Sequence, residues 1–393
     1  MCATTKSIRK ILKPFLIISY VFGLRLANLS SHAKLCLSVL YMLLVWCMYY
    51  FLSRTTIMSV FFERRSIGQH VCCALEILTT LLSIVLGIYH DKKFQNCLKK
   101  IDTIDSTLFR LGIMTDYNKL HKKTVWIIFG WLAIVILTNC STAIFTKVEI
   151  NCKVEDAMFF IFLLNYCFHV NFIGDLTTAS ILEYIGLKFD QINANLLQNL
   201  MRNNKQKVKQ TWRDPMIYPH QCNFSKALNR KCIIWIIVHL QLELRKIFHE
   251  IDIIFGAQMT FKMASYFGWM VIDLQQILYS ILINNYVKFR ITSITLQFFW
   301  LSHNIFKFLL INYMCERVTL KAKKTADLLN KLSYLSYDIE LREIISQFSF
   351  QIVYAPLRFC GIGFFQFGFK FLHKFVMSIA TVLVIIIQAH PNK

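Results

Sequence analysis

The residues of this sequence most able to do chemistry are polar and charged side chains set inside long apolar runs. In the run 255–283, Trp269, Asp273, Gln276 and Ser280 recur at helical spacing on one face. In the run 293–316, Gln297, Trp300, Asn304 and Lys307 do the same. Tyr166 and His169 stand in a third run, 157–176. Aromatic walls with a few placed polar groups are the chemistry of a small-molecule pocket. Two antiparallel helices joined by a short connection would bring Asp273 and Lys307 within roughly 6 Å in depth. The pair reads either as a salt bridge between two helices or as a charge pair that polarises a ligand. A last constellation lies near the C-terminus: Thr381 and Gln388, seven residues apart, share a helical face with Ser378 and Ile385. A glutamine closing a run of isoleucines needs a partner or water. It reads as a residue reaching the membrane boundary or as part of a pore-lining face.

The elements that must hold these residues are membrane helices. Hydrophobic residues make up 56% of the 393-residue chain and charged ones 17%, against about 25% in soluble domains. Yet 44 Lys and Arg face 22 Asp and Glu, a net charge of +22. A nucleic-acid binder would be basic without being this apolar, and a disordered chain needs low hydrophobicity. Seven runs are long and apolar enough to cross a bilayer: 35–52, 68–89, 125–145, 157–176, 255–283, 293–316 and 361–388. The run 232–238 resembles a span but is followed closely by Glu243, Arg245, Lys246, Glu250 and Asp252. Each such charge at mid-membrane costs roughly 3 kcal/mol, so this segment is expected to be amphipathic. The stretch 14–24 is expected to be a short interfacial helix rather than a cleaved leader.

The charge then gives an orientation. Of the 44 basic residues, 32 fall in the N-terminal segment and alternate connections, 8 in the opposite set, and 4 inside spans. Excess Lys and Arg mark the cytoplasmic side. The expectation is an all-α, polytopic protein with seven transmembrane helices, a cytoplasmic N-terminus and an extracellular C-terminus. A G-protein-coupled receptor runs the other way. The connections carry helical stripes of their own: Cys97, Ile101, Ile104, Leu108 and Leu111; Ile185, Phe189, Ile192, Leu196 and Leu200; Ile233, Ile237, Leu240, Leu244, Ile247 and Ile251; Leu328, Leu332, Leu335 and Ile339. Helices four to six should therefore project into a cytoplasmic helical platform, interrupted at 203–223, which contains Pro215 and Pro219. The resulting organisation is a cytoplasmic segment 1–34, spans one to six over 35–316 with helical connections 90–124 and 177–254, anchor helices over 317–359, and a last helix with a short tail over 360–393.

The familiar catalytic signatures are missing. The 13 cysteines are scattered without zinc spacing, and no Walker A, dinucleotide, zinc-protease or nucleophile-elbow motif occurs. No enzyme, cofactor or metal is implied. Cys140 and Cys152 are candidates to pair near the outer face. The Asn139 glycosylation sequon falls inside a span and is expected to be unused; those at Asn28 and Asn223 fall on the inner side. No internal repeat suggests a transporter.

With these residues in view, the chain resembles the insect gustatory receptor family. That family closes its last span with Thr-Tyr, five hydrophobic residues, then Gln-Phe, and Thr381 and Gln388 match; Val382 and Ala389 depart from the usual Tyr and Phe. Phe348 to Gln351, the segment from Leu357 to the Gly363-Phe364-Phe365 turn, and the opening 14–24 are also similar. The resemblance implies a ligand-gated cation channel made of four identical or related subunits, in the plasma membrane of chemosensory neurons, opened by a small-molecule tastant and needing no nucleic acid. It implies a conduit lined by the last span of each subunit, here Met377, Ser378, Thr381, Val384, Ile385 and Gln388. Ile385 would be the apolar constriction, and conduction would be non-selective since no acidic ring or carbonyl filter is present. It also implies a ligand pocket in the outer half of the bundle, where Tyr166, His169, Trp269, Asp273, Gln276, Gln297, Trp300 and Asn304 are the candidates.

Overall fold

The computed structural model describes residues 7–22, 24, 32–53, 67–150, 153–213, 224–282, 290–335 and 339–389. Among them the chain forms eleven helices and one minimal hairpin. In order these are α1 (Ile8–Val21), α2 (His32–Ser53), α3 (Ile67–Tyr89), α4 (Asp91–Arg110), α5 (Tyr117–Ile150), α6 (Val154–Leu164), α7 (Tyr166–Arg213), α8 (Phe224–Leu282), α9 (Arg290–Leu335), α10 (Ile339–Tyr354), β1 (Cys360–Gly361), β2 (Phe365–Gln366) and α11 (Phe369–Ala389).

Four of these helices, α3, α5, α9 and α11, are individually long and apolar enough to cross a membrane. The expected fourth span is broken: α6 and α7 meet at Asn165 with a 48° bend. The break has a side-chain partner, since Asn165 Nδ2 donates to Asn139 Oδ1 at 2.9 Å. The helix α8 is 59 residues long, so it extends about 88 Å against a hydrocarbon core of about 30 Å. The 48-residue α7 and the 46-residue α9 likewise outrun the membrane.

The amphipathic stripes explain the platform. Cys97, Ile101, Ile104 and Leu108 on α4 are buried, as are Ile185, Phe189, Ile192 and Leu196 on α7 and Ile237, Leu240, Leu244, Ile247 and Ile251 on α8. All belong to one continuous core that runs from the membrane into the platform. A buried ion pair ties it: Lys188 Nζ lies 2.6 Å from Asp105, whose carboxylate also accepts from the Tyr117 and Tyr184 hydroxyls. Desolvation lowers the Lys188 pKa, while the Asp105 charge opposes that shift.

Four expectations change. Helix α7 continues through 203–213, because the two prolines lie beyond it and no helix breaker precedes them; residues 214–223 are outside the described set. The fourth stripe stops at the end of α9, since Ile339 opens a new helix and is 80% exposed. The interfacial helix begins before Pro14: α1 is capped by Ser7, whose hydroxyl donates to Asp102 on α4 at 2.9 Å. The last span does not start at Gly361. There the chain forms the β1–β2 hairpin, with positive φ at Ile362, Gly363 and Gly368, and α11 follows only from Phe369. A side chain at Gly368 would run into the Glu316 carboxylate. The sequons at Asn28 and Asn223, and Cys152 with its proposed pairing, lie outside the described residues.

Helix α8 grips this hairpin. Asp252 accepts the Cys360 N–H at 2.8 Å, and a Cβ on Gly256 would stand 2.7 Å from the Cys360 carbonyl oxygen. Burial lifts the Asp252 carboxyl from 3.8 to about 6, against the Cys360 N–H and His249, which favour the ionised form. A raised acid pKa means that the group's contribution to stability is full below pH ~4 and is lost as pH rises through about 6. Thermal melting of the detergent-solubilised protein should therefore show wild type gaining on Asp252→Asn as pH falls from neutral through about 6; a constant difference would remove Asp252 as the titrating group.

Candidate functional site

A charge inside the bilayer must be paired within the protein, and the bundle meets this with one polar core. Lys262 on α8 reaches α7, where its ammonium lies 2.7 Å from Asp175 and 2.9 Å from the Asn171 carbonyl oxygen. Tyr266, one turn on, donates its hydroxyl to the other Asp175 oxygen. Glu76 on α3 accepts from Asn171 Nδ2 at 2.9 Å and from the Ser265 hydroxyl. Three helices thus share one network of fully or nearly fully buried groups.

Lys307 does not pair with Asp273. Asp273 instead accepts from Asn304 Nδ2 at 2.9 Å. The Lys307 ammonium has no hydrogen-bond partner among the described residues. It lies 3.2 Å from the centroid of the Phe168 ring and 4.6 Å from that of Tyr266. The aromatic faces supply the attraction that a carboxylate was expected to give. The reason is depth: Lys307 meets Tyr266, two turns before Asp273 on α8, while Asn304, one turn earlier on the same face of α9, takes the acid.

The other candidates divide into two groups. Trp300 joins the Lys307 neighbourhood, with its ring 5.2 Å from Phe168 and its indole N–H donating to Thr142 at 3.2 Å. His303 fills the space between Phe168, Phe172 and Trp300. Trp269 is half-buried with its indole N–H unpaired among the described residues, and Gln276 and Gln297 are half-buried. His169 turns toward α5 and pairs with Asn139 at 2.9 Å, which keeps the Asn139 side chain fully buried. Tyr166 lies in a separate aromatic cluster with Phe22, Trp46 and Tyr49. Sequence reading missed Phe168, Phe172 and His303 as wall residues and Tyr266 as a partner. Asp175 and Lys262 carried a usable signal, as opposite charges in successive spans.

Helix α11 packs by one stripe only. Phe375 and Ile379 are buried, and Phe375 stacks on Phe308 of α9 with centroids 3.9 Å apart. The six residues Met377, Ser378, Thr381, Val384, Ile385 and Gln388 lie on the opposite side and are all exposed. Ser378 and Thr381 return their hydroxyls to carbonyls one turn back, 3.0 Å each, so their polarity is locally satisfied on an otherwise apolar face.

Helices that outrun the bilayer, a charged core sealed among them and a last helix attached by one stripe define a multi-pass membrane protein. The same fold occurs in the insect olfactory receptor OR5 from Machilis hrabei. In complex with eugenol, that receptor matches with a TM-score of 0.65 and 12% identity over 97% of this chain and 98% of that one. Another structure of OR5 gives 0.66 and 11% identity over 98% and 99%. Residues 12–393 match the 7tm Chemosensory receptor family model, and the chain belongs to that family. Among curated proteins, none matches.

Breaking a buried ion pair from one side costs about 3–5 kcal/mol, while replacing both partners by apolar residues of similar size is often neutral. Asp175→Leu and Lys262→Met should each lower the melting temperature and the surface level, and the double variant should recover most of the loss. Additive losses would show that the two groups act independently.

Proposed function

We propose that this chemosensory receptor is a gustatory one, a tetrameric ligand-gated cation channel in the plasma membrane of chemosensory neurons. The observation that carries the reading is α11: a 21-residue apolar helix held by the Phe375–Ile379 stripe, with Thr381, Ile385 and Gln388 facing away from its own subunit. Four such faces brought together form a conduit in which Thr381 and Gln388 supply oxygens to hydrated cations and Ile385 narrows the path between them. An apolar ring gates by excluding water. The hairpin clamped by α8 is the joint on which α11 turns.

The ligand is a small tastant, held in the space around Trp269, Asp273, Gln276, Gln297, Trp300 and Asn304, with Phe168 and His303 as further walls. Tyr166 and His169 support this wall from the α2 and α5 sides. The charge distribution supports a cytoplasmic N-terminus and an extracellular C-terminus, so that the platform is intracellular and binds subunits together. The fold shared with an olfactory receptor favours one second reading, an odorant-gated channel; the Thr381 and Gln388 spacing supports the gustatory branch.

Expression in a heterologous cell with current recording during a tastant panel tests this. The expected result is a ligand-evoked cation current that persists under G-protein blockade. Gln388→Ala should alter its conductance, and Ile385→Ser should raise the current without ligand. A response abolished by G-protein blockade, or an N-terminal tag accessible on intact cells, would contradict the reading.

A further inference from the structure

The inner end of α11 and the membrane half of α9 enclose a groove open to one side, of about 310 Å³. Its walls are Phe306, Leu309, Leu310, Tyr313, Phe369 and Leu372, and its floor is Asn312. The volume is at the lower end of the roughly 300–1,000 Å³ typical of small-molecule sites. Four of the wall residues, Phe306, Leu309, Tyr313 and Phe369, are 41–50% exposed. The groove runs along about 10 Å of α9, within the apolar run that ends at Glu316. Its walls therefore stand at hydrocarbon depth on the platform side of the bilayer.

Three observations select an occupant. The walls are apolar, so only hydrocarbon fits along them without stranding a polar group. At the platform end of the groove stands exposed Arg317, whose guanidinium lies 6.0 Å from the ring of the wall residue Tyr313. An arginine at the membrane edge pairs with phosphate in a forked geometry. Finally, Leu372 lies on the packed stripe of α11, on the side away from Gln388, so subunits meeting through the Gln388 face leave the groove uncovered. The geometry points to an anionic phospholipid of the platform-side leaflet, one acyl chain in the groove and its headgroup on Arg317.

The floor gives this site a consequence. Asn312 Oδ1 accepts the Gly368 N–H at 3.0 Å, and Glu316, next to Arg317, accepts the Phe369 N–H at 3.3 Å. These two contacts fix the first turn of α11. A lipid in the groove therefore sits directly against the residues that hold the start of the last helix. The site is independent of which tastant or odorant the receptor takes.

The test uses the purified full-length protein, reconstituted into vesicles of equal parts phosphatidylcholine and phosphatidylglycerol, re-extracted, partly delipidated and analysed for retained lipid by mass spectrometry. The expected result is selective retention of phosphatidylglycerol. Leu309→Trp, which fills the groove from an exposed position, should reduce retained lipid several-fold with unchanged elution and melting. Arg317→Gln should keep lipid but lower the preference for phosphatidylglycerol roughly fivefold, as for loss of one basic residue at an anionic surface. Equal retention of both lipids by wild type and Arg317→Gln would overturn the assignment, as would full lipid retention by Leu309→Trp. Disulfide cross-linking between subunits through Leu309→Cys, with no lipid retained, would give the groove to a second copy and also overturn it. Should Leu309→Trp fail to fold, the selectivity of Arg317→Gln decides alone.

Discussion

A bilayer offers no water to a buried charge, and the architecture of this receptor follows from where its intramembrane charges find their partners. Lys262 lies in the span carried by α8 and Asp175 in the span carried by α7. Their contact, with Tyr266 and the Asn171 carbonyl beside it, fixes the relative depth and rotation of two helices that have only apolar packing to position them otherwise. Glu76 extends the constraint to α3 through Asn171 and Ser265. Helix α9 meets this frame through Asn304, which satisfies Asp273, and through the aromatic faces that receive Lys307, and it is tied to α7 again in the platform, where Asn193 bonds Lys321 and Thr325 and Asp190 pairs with Lys321. The polar core therefore adjoins the walls of the candidate ligand space.

The same logic explains how far the sequence could be read. Helical stripes such as Cys97, Ile101, Ile104 and Leu108 declare their buried face because period and hydrophobicity coincide, and the platform was legible from them. Helix existence was legible wherever apolar residues ran long enough. Partner choice was not. Asp273 and Lys307 were expected to lie close in depth on neighbouring spans, yet a shift of about one turn in register along α9 gives Asp273 to Asn304 and leaves Lys307 against Phe168. Which of several groups within reach is met depends on the crossing of helices distant in sequence, and periodicity carries no information about that. The hairpin at Cys360–Gln366 was hidden for another reason: it is as apolar as a span, and only Gly361, Gly363 and Gly368 marked it as a place where the backbone turns.

The exposed face of α11 is the natural counterpart of the sealed core. Within one chain, Phe375 and Ile379 bury that helix on one side and Met377, Thr381, Val384 and Gln388 are left over. A helix of this kind is incompletely specified by its own subunit. Its outer face acquires a fixed environment from other copies, from lipid, or from water, and the candidate pore residues lie on that exposed face. Three of the candidate ligand residues are of the opposite kind, since Asp273, Asn304 and His169 are already engaged in the chain's own contacts.

The approach of Gly256 to the Cys360 carbonyl has a mechanical meaning. Most contacts between a helix and a neighbouring turn are cushioned by side chains, whose rotamers absorb small displacements. Here main chain rests on main chain, with Asp252 one turn away holding the adjacent N–H. The joint therefore leaves no room for a side chain between helix and hairpin. Because α8 is unbroken from this joint to Trp269 and Asp273, one continuous helix links the walls of the candidate ligand space to the base of the last helix, as a shaft would.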